Sequence, residues 1–298
     1  MMYHKSVFHK EAVEALNINP EGVYVDVTFG GGGHSRLICE KLNSGKLIAL
    51  DQDKASSRNI IKHKGFKLIH ANFRHIKRVL RFENILKIDG LLADLGVSSY
   101  QFDNSHRGFS IRSEGLLDMR MNDNAKLTAH EIVNEYSLEK LSDIFFNYGD
   151  LRNSKRIART IINQRREKKI NTTQDLVRIV SDLIPFNKQN KFLAKLFQSI
   201  RIEVNDEICC LKELLSNSLE LLNSKGRLVF ISYHSLEDRL VKNLFKTGNI
   251  EGVLKRDFYG NNLKKIRRIN KKVITPSDDE ICKNSRARSA KLRIAEKI

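Results

Sequence analysis

Apolar and polar positions along this chain change period several times, and each change predicts an element. Residues 24–29, YVDVTF, form an apolar, β-branched run bounded by Gly22 and Gly30, which predicts a buried strand. From His34 onward Leu37, Ile38 and Leu42 recur three and four apart, the spacing of a helix face. Short apolar runs at residues 45–53, 66–73 and 87–99 predict second, third and fourth strands, the last followed by a polar turn. Strands alternating with helices in this way imply a parallel sheet covered on both faces. From about Asn104 the pattern changes. Residues 128–197 are helical in period without an intervening strand, broken at 171–173 and at Pro185, which predicts a helical insertion. The strand pattern resumes at residues 226–235, and residues 288–298 alternate like an edge strand of the same sheet. The expectation is an α/β, Rossmann-like core of residues 1–105 and 200–298, interrupted by a helical domain at 106–199.

Composition changes this picture little and charge changes it more. With 298 residues, 41% hydrophobic and 30% charged, the chain is that of an ordinary globular protein, without a low-complexity tract or internal repeat. The formal net charge of +18 points to a polyanionic partner such as nucleic acid, with a solvated basic surface as the alternative. Residues 255–298 hold 14 Lys and Arg against 5 Asp and Glu, leaving +9, half of the total. Phosphate contacts through such a segment release counterions, so binding there should weaken steeply with salt. Cys39, Cys209, Cys210 and Cys282 form no CxxC pair and no His-rich zinc spacing, and fit reduced thiols. The N-terminus lacks a signal-peptide core and no apolar run approaches the roughly 18 residues that span a bilayer, so a cytoplasmic protein free of membrane is expected.

Four glycines, residues 30–33, lie between the first predicted strand and its helix. Strand, glycine turn and helix open a nucleotide-binding βαβ unit. Glycine accepts positive φ and lets backbone approach a ligand, while the helix N-terminus offers unpaired N–H groups. A tight turn with no ligand is the alternative. Asp51 stands about twenty residues beyond the loop, where such folds place the acid that holds ribose hydroxyls; Asp53 is farther from the strand end. Dinucleotides and S-adenosylmethionine share this architecture. A dinucleotide site wants GxGxxG, and counting from Gly30 or Gly31 puts Ser35 or Arg36 where the third glycine belongs, which argues against a nicotinamide oxidoreductase. Asp26, four residues before Gly30, stands where methyltransferases commonly carry an acid that supports the loop and reaches the methionine amino group. The sequence therefore favours the methyl donor.

ADLGVSS, residues 93–99, ends the fourth predicted strand, and in open α/β sheets ligands lie outside that edge, so Asp94 should face cofactor and acceptor. An exocyclic base amine is a poor nucleophile because its lone pair is delocalised. A carboxylate accepting its hydrogens favours the pyramidal nitrogen of the transition state. Amino-methyltransferases often carry Asp-Pro-Pro-Tyr here; Asp94-Leu95-Gly96-Val97 keeps the acid without the prolines or the aromatic, and an aspartate capping the next turn is the alternative. In ISYHSLEDR, residues 231–239, His234 is a candidate general base or a loop histidine, and Ser235 a candidate helix N-cap with Asp238 completing the box.

TFGGGGHS, LLADLGVSS, HRGFS, LDMRM, IRIEVNDE, ISYHSLEDR and NSRARSAKLR, in that order and across nearly the whole chain, closely resemble the bacterial 16S ribosomal RNA (cytosine-N4)-methyltransferase family. The resemblance implies a class I methyltransferase core with an inserted helical domain that recognises substrate. It implies methyl transfer from S-adenosylmethionine to the exocyclic N4 amine of a cytidine in the decoding region of 16S RNA. Motif by motif, Gly32, Gly33 and His34 would contact the donor and Asp51 its ribose, while Phe73, Asp94 and Gln101 would complete the pocket. The family often carries another residue in the glycine run, where this chain has Gly31. No catalytic base comes with the resemblance; Asp94 and His234 are the catalytic candidates on geometry. Arg107 and Arg120 are candidates for phosphate or cofactor-carboxylate contacts, or for ion pairs with Asp118 or Glu114. The expected reaction is a direct in-line displacement without metal, because the sulfonium methyl is already activated, with positioning supplying about 7–11 kcal/mol. The basic tail and the insertion would grip RNA in the small subunit or a late assembly intermediate, the protein being monomeric on RNA or a homodimer. The rivals are an RNA-binding protein that keeps the fold without turnover and a DNA amine methyltransferase.

Overall fold

The computed structural model describes residues 6–298. Its strands are β1 (Val23–Asp26), β2 (Lys46–Asp51), β3 (Phe66–His70), β4 (Ile88–Asp94), β5 (Leu222–Ser232), β6 (Ile266–Arg268) and β7 (Lys291–Lys297). Its helices are α1 (Glu11–Ala15), α2 (Gly33–Glu40), α3 (Ile76–Phe82), α4 (Ser99–Asp103), α5 (Ala129–Glu135), α6 (Leu138–Asn147), α7 (Ser154–Glu167), α8 (Thr173–Ser181), α9 (Phe186–Asn205), α10 (Glu207–Leu221), α11 (Ser235–Thr247) and α12 (Asp278–Lys283). The strands form one sheet in the order β3-β2-β1-β4-β5-β7-β6. Neighbours from β3 to β5 are parallel, and β7 runs antiparallel to both β5 and β6.

The chain divides into two compact units. The first joins the described residues through Gly96 to Ile208–Ile298, and the second is Val97–Glu207. In the first unit successive strand residues feed opposite cores, as the pleat requires. Val25, Ile48, Leu50, Leu91, Leu228 and Phe230 pack with α3, α10 and α11. Tyr24, Leu47, Leu92, Val229 and Ile231 pack with α1 and α2 on the other face. The near-continuous apolar runs of β4 and β5 follow from burial on both faces.

The second unit is helical, with its own core of residues including Leu141, Phe145, Ile157, Leu176, Leu196 and Ile200. Its starts are chemically marked: Thr128 with Glu131, and Thr172 with Asp175, form capping boxes before α5 and α8, and α9 begins after Pro185. Its limits differ from the expected 106–199. Val97 and Phe102 pack against this core, Val204 lies within it, and α9 runs unbroken past residue 199. The change of period near Asn104 marks a turn inside the unit.

A second difference concerns the C-terminal strand. β7 is interior, with Leu292, Ile294 and Ala295 buried, and the edge is the three-residue β6. A strand that short leaves no periodicity to read. The register between β4 and β5 also shifts between Ile88 and Gly90, close to Lys225 with its positive φ of 65°.

Candidate active site

The order of strands reverses between β1 and β4, which opens a crevice beyond their carboxyl ends. The glycine turn lies there. Gly30 and Gly32 have φ of 50° and 75°, the left-handed region that favours glycine. Gly32 is the N-cap of α2, and a Cβ on it would meet the Phe29 ring at 3.0 Å; one on Gly33 would clash with Ser6 Oγ.

Two buried acids hold the turn in place. Asp26, only 1% exposed, accepts from Ser35 Oγ at 2.6 Å and from the Thr28 N–H at 3.1 Å. Burial raises its pKa, and those two residues oppose the rise. Asp26 therefore supports the loop from behind. Asp51, at the end of β2, accepts from the Gly30 N–H at 2.7 Å through Oδ2 and from the Asp53 N–H at 2.8 Å through Oδ1. Burial lifts its pKa to about 6, against the pull of these same N–H groups. Each oxygen keeps a second lone pair for a hydroxyl. Asp53 caps the following 3-10 turn by accepting from the Ala55 N–H at 2.9 Å.

Asp94 ends β4 with its side chain 21% exposed. Its N–H donates to Thr28 Oγ1 at 2.7 Å, tying the strand end to the β1 loop. Its Oδ1 accepts from the Tyr233 hydroxyl at 2.8 Å, and Oδ2 lies 3.9 Å from His34 Nδ1. Burial pushes its pKa up to about 7, with the Tyr233 hydrogen bond opposing and the negative Asp26, Glu237 and Glu280 adding to the rise. His34 is buried, and its Nε2 is 3.0 Å from the Val7 carbonyl. A carbonyl only accepts, so Nε2 carries the proton and Nδ1 presents a lone pair. Burial drives its pKa down to about 4, so the ring is neutral at pH 7.

Tyr233 is the residue that motif reading missed. An Asp-Pro-Pro-Tyr turn would put its aromatic three residues after the acid, where this chain has Val97; here the ring comes from the end of the neighbouring strand. Gly96 beside it takes φ of 99°, which a side chain would strain, although a Cβ there would make only an ordinary 3.6 Å contact with Tyr233 Cδ2. Burial and the adjacent Asp94 raise the Tyr233 pKa well above 10.0, so it remains a donor. Glu237 fixes the corner, accepting from the Tyr233 N–H at 3.0 Å. His234, and not Ser235, is the N-cap of α11, in a capping box with Glu237 in which its Nδ1 accepts from the Glu237 N–H at 3.5 Å. Its Nε2 faces Glu237 Oε1 at 3.0 Å. Asp238, expected to help the cap, instead pairs with Arg293 of β7 at 2.6 Å, which explains why ISYHSLEDR and NSRARSAKLR belong together.

Phe73 follows β3 in a 3-10 turn, packed against the first unit's core. Gln101 lies in the second unit, buried at the start of α4, where its Oε1 accepts from the Ser98 N–H at 3.0 Å in a capping box. LDMRM is structural there as well: Leu117, Met119 and Met121 point into the core, while Arg120 grips Asp118 at 2.7 Å. Arg107 donates to the Arg120 carbonyl at 2.8 Å.

Acids at the ends of β1, β2 and β4 around a bare backbone turn suit a ligand with an amino group and vicinal hydroxyls. With this strand order and antiparallel β7, they define a Rossmann-like, S-adenosylmethionine-dependent methyltransferase. Residues 1–298 match the model of the MraW methylase family, and the chain belongs to that family. It is 52% identical over 296 residues to ribosomal RNA small subunit methyltransferase H of Bacteroides fragilis, covering 99% of this chain and 97% of the relative. The protein of the same name from Bacteroides thetaiotaomicron is 50% identical, at 100% and 98% coverage. That of Cytophaga hutchinsonii is 51% identical, at 99% and 100%.

The residues present fit the donor. The turn holds its backbone open where side chains would clash, and Asp51 keeps lone pairs toward hydroxyl donors. All four cysteines are free, and among the described residues no helix is long and apolar enough to cross a membrane.

Proposed function

We propose that this protein methylates the exocyclic N4 amine of a cytidine in the decoding region of 16S ribosomal RNA, as part of the small subunit or a late assembly intermediate. The observation that carries the acceptor assignment is Asp94: an acid of raised pKa at the carboxyl end of β4, with one oxygen engaged by Tyr233 and the other open. S-adenosylmethionine supplies an already activated sulfonium methyl, which calls for in-line attack and no metal. Gly32, Gly33 and the α2 N-terminus give the donor backbone contact, Asp51 its ribose contact, and Asp26 holds the loop. Phe73 is assigned to the donor by family motif, and so, by its own motif in the second unit, is Gln101.

Ionised Asp94 accepts hydrogens of the incoming amine through Oδ2, favours the positive charge that grows on nitrogen, and takes up the proton that nitrogen releases as the methyl leaves sulfur. Tyr233 keeps Oδ1 oriented and tunes the ionisation. His34, neutral, adds no competing charge. His234 caps α11 through Nδ1 beside the corner from which Tyr233 projects, which assigns it a positioning role rather than proton abstraction. The helical unit is assigned to substrate recognition, and the protein is expected in the cytoplasm.

The test is incubation of the protein with radiolabelled S-adenosylmethionine and unmethylated small subunits, followed by nucleoside analysis. Label in N4-methylcytidine is expected. Label on another nucleoside would overturn the acceptor assignment, and donor binding without label on any ribosomal particle would overturn the substrate.

A further inference from the structure

Between α11 and β6 the chain makes a small hairpin over residues 253–263 whose tip carries two aromatic rings in solvent. Phe258 is 97% exposed and Tyr259 86%. The tip is a built turn. Asp257 Oδ1 accepts from the Tyr259 N–H at 2.9 Å and the Asn261 N–H at 2.8 Å, and the Gly260 N–H donates to the Asp257 carbonyl at 3.1 Å. Gly260 takes φ of 84°, and Leu263 N–H closes the stem on the Lys255 carbonyl at 3.0 Å. A carboxylate is thus spent on holding a loop whose apolar side chains touch nothing that would bury them. The rings meet edge to face, 5.6 Å apart and at 87°, so they do not stack on each other and each keeps a face open.

The surroundings are cationic. Residues 255–272 contain eight Lys and Arg, at 255, 256, 264, 265, 267, 268, 271 and 272, and Asp257 as their one acid. Paired aromatics amid cations match an unpaired nucleic acid strand: each base offers a π face and each nucleotide a phosphate. Duplex bases bury their faces in the stack, and the deep major groove of an A-form helix is closed to such rings.

We propose that this hairpin is a docking arm for single-stranded RNA, with Phe258 and Tyr259 stacking on bases and Lys255, Arg256, Lys264 and Lys265 holding phosphates. The inference rests on the RNA substrate proposed above and adds to it a second, non-catalytic contact.

The chain has no tryptophan, so Tyr259→Trp creates a single reporter on the arm. Its emission is expected to be quenched by an unstructured 12-nucleotide RNA and left unchanged by a blunt RNA duplex of that length. Phe258→Ala/Tyr259→Ala should weaken anisotropy-measured binding of the single strand about tenfold or more. Lys255→Ala/Arg256→Ala should flatten the salt dependence by about 0.7 in log–log slope for each phosphate no longer neutralised. Unchanged donor binding by calorimetry shows that the variants are folded. Quenching by the duplex alone, or single-strand affinity unchanged in the double alanine variant, overturns the proposal. So does a double variant that becomes monomeric from a dimer at unchanged RNA affinity, since the tip then serves a second copy of the chain. Methylation of small subunits by the wild type is read separately, so failure of the substrate assignment is distinguishable from failure of the arm.

Discussion

The Asp94–Tyr233 pair makes the dependence of methyl transfer on pH the most informative measurement. Asp94 must be ionised to accept from the amine, and with a pKa of about 7 it is half ionised at neutral pH. The single-turnover rate should therefore rise about tenfold between pH 6 and pH 8 and then level off. Tyr233→Phe removes the hydroxyl that donates to Oδ1 at 2.8 Å. A hydrogen bond to a charged group is worth about 1.5–3 kcal/mol, and 1.36 kcal/mol is one pKa unit, so the Asp94 pKa should climb by about 1–2 units. At pH 7 the ionised fraction then falls from a half to roughly 1–9%, a loss of about 5- to 50-fold in rate that recovers toward pH 9. The assay is single-turnover transfer of labelled methyl to unmethylated small subunits at saturating donor, which removes the titration of Asp51 near pH 6 from the rate. His34, with its pKa near 4, does not titrate in this window. A flat wild-type profile from pH 6 to 8.5, or a Tyr233→Phe profile that superimposes on it, would refute the assignment of Asp94 as the amine acceptor.

Further outcomes follow from the same geometry. Folding raises the Asp94 pKa from 3.8 to about 7, so the stability this group permits is full below pH 4 and is lost as pH rises through 7. Asp94→Asn should accordingly raise the Tm by roughly 5 °C at pH 8 and leave it unchanged near pH 4, read by calorimetric scans. Gly32→Ala places a Cβ at φ of 75° and 3.0 Å from the Phe29 ring. It should cost about 1–2 kcal/mol and weaken donor binding about tenfold by titration calorimetry, and unchanged affinity would remove the turn from the donor site. His234→Ala removes the α11 cap at a cost of about 0.5–2 kcal/mol in urea unfolding, with a smaller rate loss than Asp94→Asn. If Asp94→Asn and His234→Ala both kept near-normal single-turnover rates and donor affinity, the acceptor site would lie elsewhere.

Much of this organisation is written locally in the chain. The βαβ opening is legible because its determinants are neighbours in sequence: β-branched Val25 and Val27, the glycines at 30–33, and helix spacing from His34. The helical insertion is legible for the same reason, with Thr128, Thr172 and Pro185 marking starts that need only local hydrogen bonds or a fixed φ. Asp26, Asp51 and Asp94 could be chosen beforehand because parallel strands deliver their carboxyl ends to one edge of the sheet.

What required tertiary structure is every relation between distant residues. Tyr233 meets Asp94 across 139 positions, and nothing in either motif announces the pair. Asp238 falls outside the cap because α11 is capped one residue earlier, at His234 with Glu237 in the box, and it pairs instead with Arg293, 55 residues on. β7 becomes interior only because the three-residue β6 adds beyond it. Arg107 and Arg120 resemble phosphate ligands in sequence, yet in the folded chain they hold the backbone and an acid of their own unit. Periodicity and turn chemistry act within a few residues, whereas ionisation is set by burial and by charges that only the fold brings together. The positions of the acids are therefore a property of the sequence, and the raised pKa of Asp94 is a property of the structure.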